Sequence, residues 1–378
     1  MYVNRIMDIC DTVKKKSCFL FGARQTGKTS LISHQLNKYK VYNLLDNEIF
    51  LSLSGNPKRL EQEIQKQDKI IIIDEIQKLP GLLDEVHLII EKYGINFLLT
   101  GSSARKLRRG GVNLLGGRAR VRYLYPFIYK ELNEKFSLLK ALNYGLIPSV
   151  YLSGEPEEDI ASYAGIYLKE EIAAEGLTRN ISAFSRFLTV AALCNGQLLN
   201  YAKISNDAQV PSSTVQEYFQ ILRDTLIGFD VKAWKKSIKR KPISTSKFYF
   251  FDTGIVRSLQ NRAPIKEKSP EIGYFFETYM AHELNAFVNY NKPGELCYWR
   301  SKSGYEVDFI INDSIAVEIK AKEIITGSDI RGLKALAEEE KLKRYIIVCF
   351  EKRARTIGKI EILPWETFLN KLWAKSFK

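Results

Sequence analysis

Apolar residues are concentrated in short, unbroken runs along the first third of the chain. Cys18-Phe19-Leu20-Phe21, Val41 to Leu45, Lys69-Ile70-Ile71-Ile72-Ile73 and Ile95-Asn96-Phe97-Leu98-Leu99 each end abruptly in polar residues. Such runs predict strands buried on both faces, as in a parallel sheet covered by helices. Ser30 to Leu36 reads as a helix between two of them, so residues 1–130 predict an alternating α/β unit. After Pro126 the pattern turns helical: Ile128 to Leu142, an acidic stretch Glu155 to Asp159, Tyr163 to Ala174, and Ile181 to Cys194. Residues 131–180 are expected to form a helical linker or lid. Then come a helix (Leu199 to Asp207), a turn, a helix (Ser212 to Asp224) and strands at Ile227 to Trp234 and Lys247 to Phe251. The last block, 261–378, predicts a helix through Phe275 to Leu284. Strands follow at Leu296 to Arg300, Tyr305 to Ile311 and Ile315 to Ala321, then a helix and a strand. The fold class is α/β throughout.

Composition narrows the chemistry. At 378 residues the chain exceeds one ordinary domain, and 45% hydrophobic residues can fill two or three cores. Lysine plus arginine (57) against aspartate plus glutamate (43) leaves a net +14, which suggests a polyanionic partner. No apolar run approaches the roughly 18–20 residues a spanning helix needs. The start carries Asp8, Asp11 and Lys14-Lys15-Lys16 in place of a secretory core, so a cytoplasmic protein without a membrane partner is expected. Five scattered cysteines and three histidines argue against a disulfide framework, a thiolate zinc site or a histidine-rich metal site. Carboxylates, lysine and backbone amides are left to do the chemistry.

The first apolar run leads into Gly22-Ala23-Arg24-Gln25-Thr26-Gly27-Lys28-Thr29, followed by Ser30 and a helix. This is the phosphate-loop pattern in its strand–loop–helix setting. Its glycines let successive amides turn toward phosphate oxygens, and the helix amino end adds positive dipole. Lys28 is expected to reach the β- and γ-phosphates of ATP, and Thr29 to offer its hydroxyl to Mg2+. The isoleucine run delivers Asp74-Glu75 at its carboxyl end, where ligands of open α/β sheets collect. Asp74 suits a magnesium carboxylate; Glu75 suits the base that orients attacking water. After the next run, Thr100-Gly101-Ser102-Ser103 offers Ser102 to the γ-phosphate. A basic stretch from Arg105 to Arg122 contains Arg118, a candidate arginine finger acting on a neighbouring subunit. Arg120 and Arg122 read as a surface face.

These segments, with Ile73-Asp74-Glu75-Ile76-Gln77 and Gly117-Arg118, resemble the AAA+-type ATPases of archaea and bacteria. The resemblance extends through Tyr167 to Ile172 and Asp224 to Phe229, and so over nearly the whole chain. It implies oligomeric ATP hydrolysis, with a carboxyl-terminal region of uncharacterised role.

Residues 181–260 predict a winged helix: two helices, a short turn and a basic hairpin. Ser212 or Ser213 would cap the second helix, whose start, Ser213 included, would face DNA. Lys235, Lys236, Lys239, Arg240 and Lys241 would hold phosphates. The exposed face of that helix is short on arginine, so backbone contact is expected over sequence recognition.

In the last block Glu318 and Lys320 are two apart and share a strand face. If residues 312–314 form a three-residue hairpin loop, Asp308 lies directly opposite Glu318; a two-residue loop would put it on the wrong face. Paired carboxylates can hold Mg2+, with Glu277 from the preceding helix completing the set and Lys320 activating water or stabilising phosphate. The order Glu…Asp…Glu-x-Lys is similar to the PD-(D/E)xK nuclease superfamily, with Val307 where many members carry proline. Three functions fit these residues: an ATPase gating a magnesium nuclease on DNA; an ATP-switched DNA-binding scaffold with an inert nuclease-like fold; or an ATPase remodelling protein.

Overall fold

A computed structural model of the chain describes residues 2–103, 115–167, 180–237, 239–291, 294–339 and 341–377. The basic segment Arg105 to Arg109 and most of Tyr167 to Ile172 lie outside the described residues. Two compact units are present, one of residues 1–127 with 224–227, the other of 128–223 with 228–378.

The first unit is a five-stranded, wholly parallel sheet. Its strands are Ser17–Phe21 (β1), Lys40–Asn43 (β2), Ile70–Asp74 (β3), Asn96–Gly101 (β4) and Ala119–Tyr123 (β5), ordered β2-β3-β4-β1-β5. Every residue of β1 and β3 is buried, as continuous apolar runs demand when helices cover both faces. β5 lies at the sheet edge and alternates exposed and half-buried residues, so Arg120 and Arg122 face water as their spacing implies. The chain reverses direction across the sheet beside β1, and that is where the glycine-rich loop emerges.

The second unit begins with helices. Ile128 to Leu142 is not one helix but Tyr129–Leu132, a 3-10 turn and Leu138–Tyr144, because Asn133 takes a positive φ of 48° that breaks the ladder. Helices Ile181–Leu193, Tyr201–Ala208 and Ser212–Asp224 follow the sequence expectation closely. The strands after them are Gly228–Ala233 (β6), Lys247–Phe250 (β7), Leu296–Arg300 (β8), Glu306–Ile311 (β9), Ile315–Lys320 (β10), Arg344–Cys349 (β11), Arg355–Ile357 (β12) and Ile360–Pro364 (β13). They form one sheet, ordered β12-β13-β11-β10-β9-β8-β6-β7.

That order sets the basic hairpin expected of a winged helix at the edge of the large sheet. β6 and β7 pair antiparallel, but β6 also runs parallel to β8, with Lys232 beside Cys297 and Ala233 beside Tyr298. The hairpin is therefore the edge of the eight-stranded sheet. Its basic connection is laid along the same unit: Lys236 pairs with Asp313 at 2.6 Å, and Arg240 pairs with the Glu338 carboxylate and donates to the carbonyl of Ala335 at 2.8 Å. Glu339 accepts from the amides of Lys239 and Arg240 at 2.9 and 3.1 Å. Those acids lie some hundred residues downstream, out of reach of any local pattern.

The long helix Ile272–Tyr290 crosses the sheet and carries a buried acid, Glu283. Its carboxyl accepts from the amide of Tyr129 (2.6 Å), the indole of Trp373 (2.9 Å) and the hydroxyl of Tyr279 (3.1 Å), tying the helix to both ends of the unit. Burial outweighs these donors and pushes the carboxyl up to about 7. A carboxyl raised in the folded state binds its proton more tightly there than in the unfolded chain, so its contribution to stability falls as pH rises from about 4.5 to about 7. Glu283→Gln should flatten the pH dependence of urea unfolding in that window by about 3 kcal/mol. An unchanged slope would contradict this account.

Candidate functional site

The loop after β1 is built for close approach. A Cβ on Gly22 would stand 2.6 Å from the carbonyl oxygen of Leu124, so only glycine fits there. Gln25 and Gly27 take positive φ values of 59° and 92°, the alternation that turns consecutive amides into one concavity. Arg5, buried beneath, donates to the Thr26 carbonyl at 2.8 Å, and the Thr26 hydroxyl donates to the Ala23 carbonyl at 2.7 Å. The helix Lys28–Gln35 then starts, with Ser30 exposed in its first turn. Lys28 folds its ammonium back over the loop, donating to the carbonyls of Gly22 (2.7 Å) and Ala23 (3.3 Å).

Around this loop the sequence-assigned groups meet. The Thr29 hydroxyl donates to Asp74 at 3.2 Å, and the Thr100 hydroxyl donates to the other Asp74 oxygen. Asp74 is buried at the end of β3; a hydroxyl beside a carboxylate is an all-oxygen set that suits Mg2+. Glu75 follows in the left-handed region, φ 62° and ψ 42°, which costs a non-glycine residue roughly 1 kcal/mol or more and turns its side chain away from the line of β3. Sequence reading passed over the side chain that holds it. Buried Gln77 donates its amide both to the Glu75 carboxylate and to the Ser102 hydroxyl (3.3 Å), joining the candidate base to the candidate γ-phosphate contact. A Cβ on Gly101 would stand 2.4 Å from the Gln77 side-chain oxygen, so that glycine makes room for the bridge.

Arg118 is placed differently. It precedes β5, whose Ala119 lies beside Ser17 at the start of β1, and its guanidinium pairs with Glu91. One strand length, on the order of 16 Å, separates it from its own phosphate loop. It stands too far away to serve that loop.

The carboxyl-terminal set assembles through a hairpin. β9 and β10 pair Ile311 with Ile315, Ile310 with Ala316 and Phe309 with Val317, which leaves Asn312-Asp313-Ser314 as the loop and sets Asp308 opposite Glu318. Each acid is locked to the other strand: Asp308 accepts from the Ile319 amide at 2.8 Å, and Glu318 accepts from the Asp308 amide at 3.4 Å. Lys320 pairs with Glu318 at 2.6 Å. Glu277 and Lys320 open on a cavity of about 1160 Å³ that Phe350 and Trp365 also line. Burial, then the charge of Asp308, pushes Glu318 up to about 8 and Glu277 up to about 7.

Three neighbours belong to this cluster and were missed in the sequence. Lys247 on β7 is 4% exposed and pairs with Glu306 at 2.6 Å and Glu277 at 3.9 Å. Burial opposes its charge, yet Glu277, Asp308 and Glu306 outweigh burial and hold the ammonium above its usual range. The Tyr249 hydroxyl donates to Glu277 at 2.7 Å. The local hints were an apolar strand that opens on Lys247 and the two-residue step from Glu306 to Asp308. The oxygen donors are chemically right for Mg2+, and two of the acids are raised by burial and then by the charge of Asp308. Among the described residues, however, no three acids, imidazoles or thiols are grouped so as to hold a metal ion, and Lys247 and Lys320 sit on two of these acids.

Residues 14–133 match the model of a family described as "AAA domain". The amino-terminal unit is an AAA domain. Its phosphate loop and parallel sheet are those of a P-loop ATPase, and ATP binding and hydrolysis are its chemistry. Residues 135–266 and 272–368 match two domains of unknown function, DUF8612 and DUF4143. The chain is 26% identical over 351 residues to an uncharacterised protein of Mycobacterium tuberculosis, covering 87% of this chain and 75% of that one. To an uncharacterised protein of Methanocaldococcus jannaschii it is 24% identical over 345 residues, 82% and 75% of the two chains. Among solved structures, the replication initiator DnaA bound to AMPPCP and single-stranded DNA aligns over 57% of this chain and 86% of its own. That alignment has 15% identity and a TM-score of 0.29. No described helix is long and apolar enough to cross a membrane.

In the AAA domain, Lys28→Ala should lose ATP binding, while Glu75→Gln should keep it and lose turnover by about a hundredfold or more. Gln77→Leu should lower kcat about tenfold with little change in KM, because it unties the base without touching the loop. Wild-type turnover in Glu75→Gln would refute its assignment.

Proposed function

We propose that this protein is an ATP-hydrolysing machine that acts on DNA, its nucleotide state gating a magnesium-dependent nuclease in the carboxyl-terminal unit. In the first unit, Lys28 exchanges the Gly22 and Ala23 carbonyls for phosphate oxygens. Thr29 and Asp74 hold the Mg2+ that accompanies ATP. Glu75, positioned by Gln77, takes the proton of the attacking water, and Ser102 contacts the γ-phosphate. Arg118 of a neighbouring copy supplies positive charge as the transferred phosphoryl group separates, so the protein works as a homo-oligomer.

One observation carries the nuclease reading: the hairpin register that sets Asp308 against Glu318 with Lys320 on the same face. A Mg2+ held by Asp308, Glu318 and Glu277 would act as a Lewis acid toward the scissile phosphate and acidify a water. Lys320, turning from Glu318, would offer its ammonium to the charge that builds on the phosphate. For DNA contact, Ser213, Lys235 and Lys241 are exposed, whereas Lys236, Lys239 and Arg240 are engaged with acids or carbonyls of their own unit. The grip on phosphates is therefore weaker than the basic run alone implied.

A second reading, an ATP-switched scaffold with an inert nuclease-like fold, is favoured by the two lysines that already neutralise the acids. Incubation with supercoiled plasmid, Mg2+ or Mn2+, with and without ATP, separates them. The proposal expects ATP-dependent cutting that falls about a hundredfold in Asp308→Ala. Absence of cutting, or equal cutting by wild type and variant, favours the scaffold.

A further inference from the structure

The positive excess of the chain is not spread evenly. Residues 1–127 hold 21 lysines and arginines against 12 acids, so +9 of the net +14 lies in the first third. With Arg105, Lys106, Arg108 and Arg109 set aside as outside the described residues, 17 cations still face those 12 acids. The charges are also sorted across the parallel sheet. On the β2 side cations meet acids: Lys40 and Arg59 pair with Glu63, and Lys92 pairs with Glu61. β5 forms the opposite edge. There Arg120 and Arg122 are exposed, and neither has an ion pair among the described residues. Arg122 donates one guanidinium N–H to the Val121 carbonyl at 3.0 Å, which leaves its other donors to water.

Strand register puts both arginines on one face. Arg120 lies beside Cys18 and Arg122 beside Leu20 on β1, while Ala119, Val121 and Tyr123 pack against the apolar core. Two residues apart on a strand, their Cα atoms repeat at about 6.6 Å, close to the step between successive phosphates of a nucleic-acid strand. Lys16 immediately precedes Ser17, the β1 partner of Ala119, so more cations lie at the start of the two strands. Of Lys14, Lys15 and Lys16, Lys15 alone pairs with an acid among the described residues, Asp11 at 2.6 Å.

We propose that the β5 edge of the AAA domain is a surface for the DNA backbone, with Arg120 and Arg122 as its central phosphate contacts and Lys14 and Lys16 at its end. Contacts of this kind hold DNA by charge and carry no sequence preference. None of the exposed large apolar residues falls on β5 or between Lys14 and Ser17, as insertion into an acidic membrane surface would require. Charge on an edge strand also discourages pairing with a second copy's strand. That role is met by either sign of charge and leaves DNA affinity alone.

The inference rests on the DNA-acting reading but on no cleavage step and on none of the carboxyl-terminal acids. Binding of the full chain to a short fluorescent DNA duplex, and to one of its strands, is measured by anisotropy across a salt series without Mg2+. Arg120→Gln/Arg122→Gln should weaken affinity about tenfold or more near physiological salt and lower the slope of log affinity against log salt by about 2. Arg120→Lys/Arg122→Lys should keep the wild-type slope. Arg120→Glu/Arg122→Glu, which leaves the edge charged, should bind still more weakly while its oligomeric state and ATP turnover stay those of wild type. Unchanged affinity and slope in the glutamine pair, with wild type bound, overturns the surface and leaves the DNA-acting reading in place. So does a loss confined to Lys235→Gln/Lys241→Gln, which would assign the contact to the second unit. Wild type that binds neither duplex nor single strand removes both.

Discussion

Buried carboxyl groups on apolar strands govern both candidate sites. A carboxylate taken out of water costs several kcal/mol unless a cation or fixed donors face it. At the end of β3, Asp74 is met by two hydroxyls and lies beside a loop whose amides await an anion. Across β9 and β10, Asp308 accepts from the Ile319 amide and Glu318 from the Asp308 amide, with Lys320 on Glu318 and Lys247 on the neighbouring Glu306. In the first case the compensation is modest and leaves room for ligand; in the second the chain brings its own cations. The same physics makes one site open and the other self-neutralised.

The AAA unit was largely legible because its signals are local. An apolar run with both faces buried, a glycine-rich turn and an acid pair at a strand end each fit within ten residues, and the structure keeps them in register. Glu75 shows where locality stops. Its left-handed backbone and its tie through Gln77 to Ser102 depend on a neighbouring strand, which no periodicity reveals. The hairpin at 308–318 was readable for another reason. Side-chain alternation has a period of two, so one loop length was enough to decide whether the acids would meet.

The middle of the chain was legible as elements but not as architecture. Helices Tyr201–Ala208 and Ser212–Asp224 and strands β6 and β7 fall where hydrophobic spacing puts them. Their meaning changed when β6 paired with β8 and the basic connection found Asp313, Glu338 and Glu339. A run of cations without an acid looks like a phosphate grip from inside the run. Whether it is one depends on acids far along the chain, and sequence separation hides them. Lys247 is the same lesson in reverse: a single charge at the head of an apolar strand reads as a solvated end until Glu277 and Glu306 arrive beside it.

The nuclease reading turns on the acids that meet across β9 and β10. Anomalous scattering from crystals of the nucleotide-free protein grown with Mn2+ tests it most directly. A manganese peak between Asp308 and Glu318, at about 2.2 Å from their carboxylate oxygens, is expected, with the Lys320 ammonium withdrawn from Glu318. A peak at Thr29 and Asp74 alone, with Lys247 and Lys320 still on their carboxylates, would contradict it.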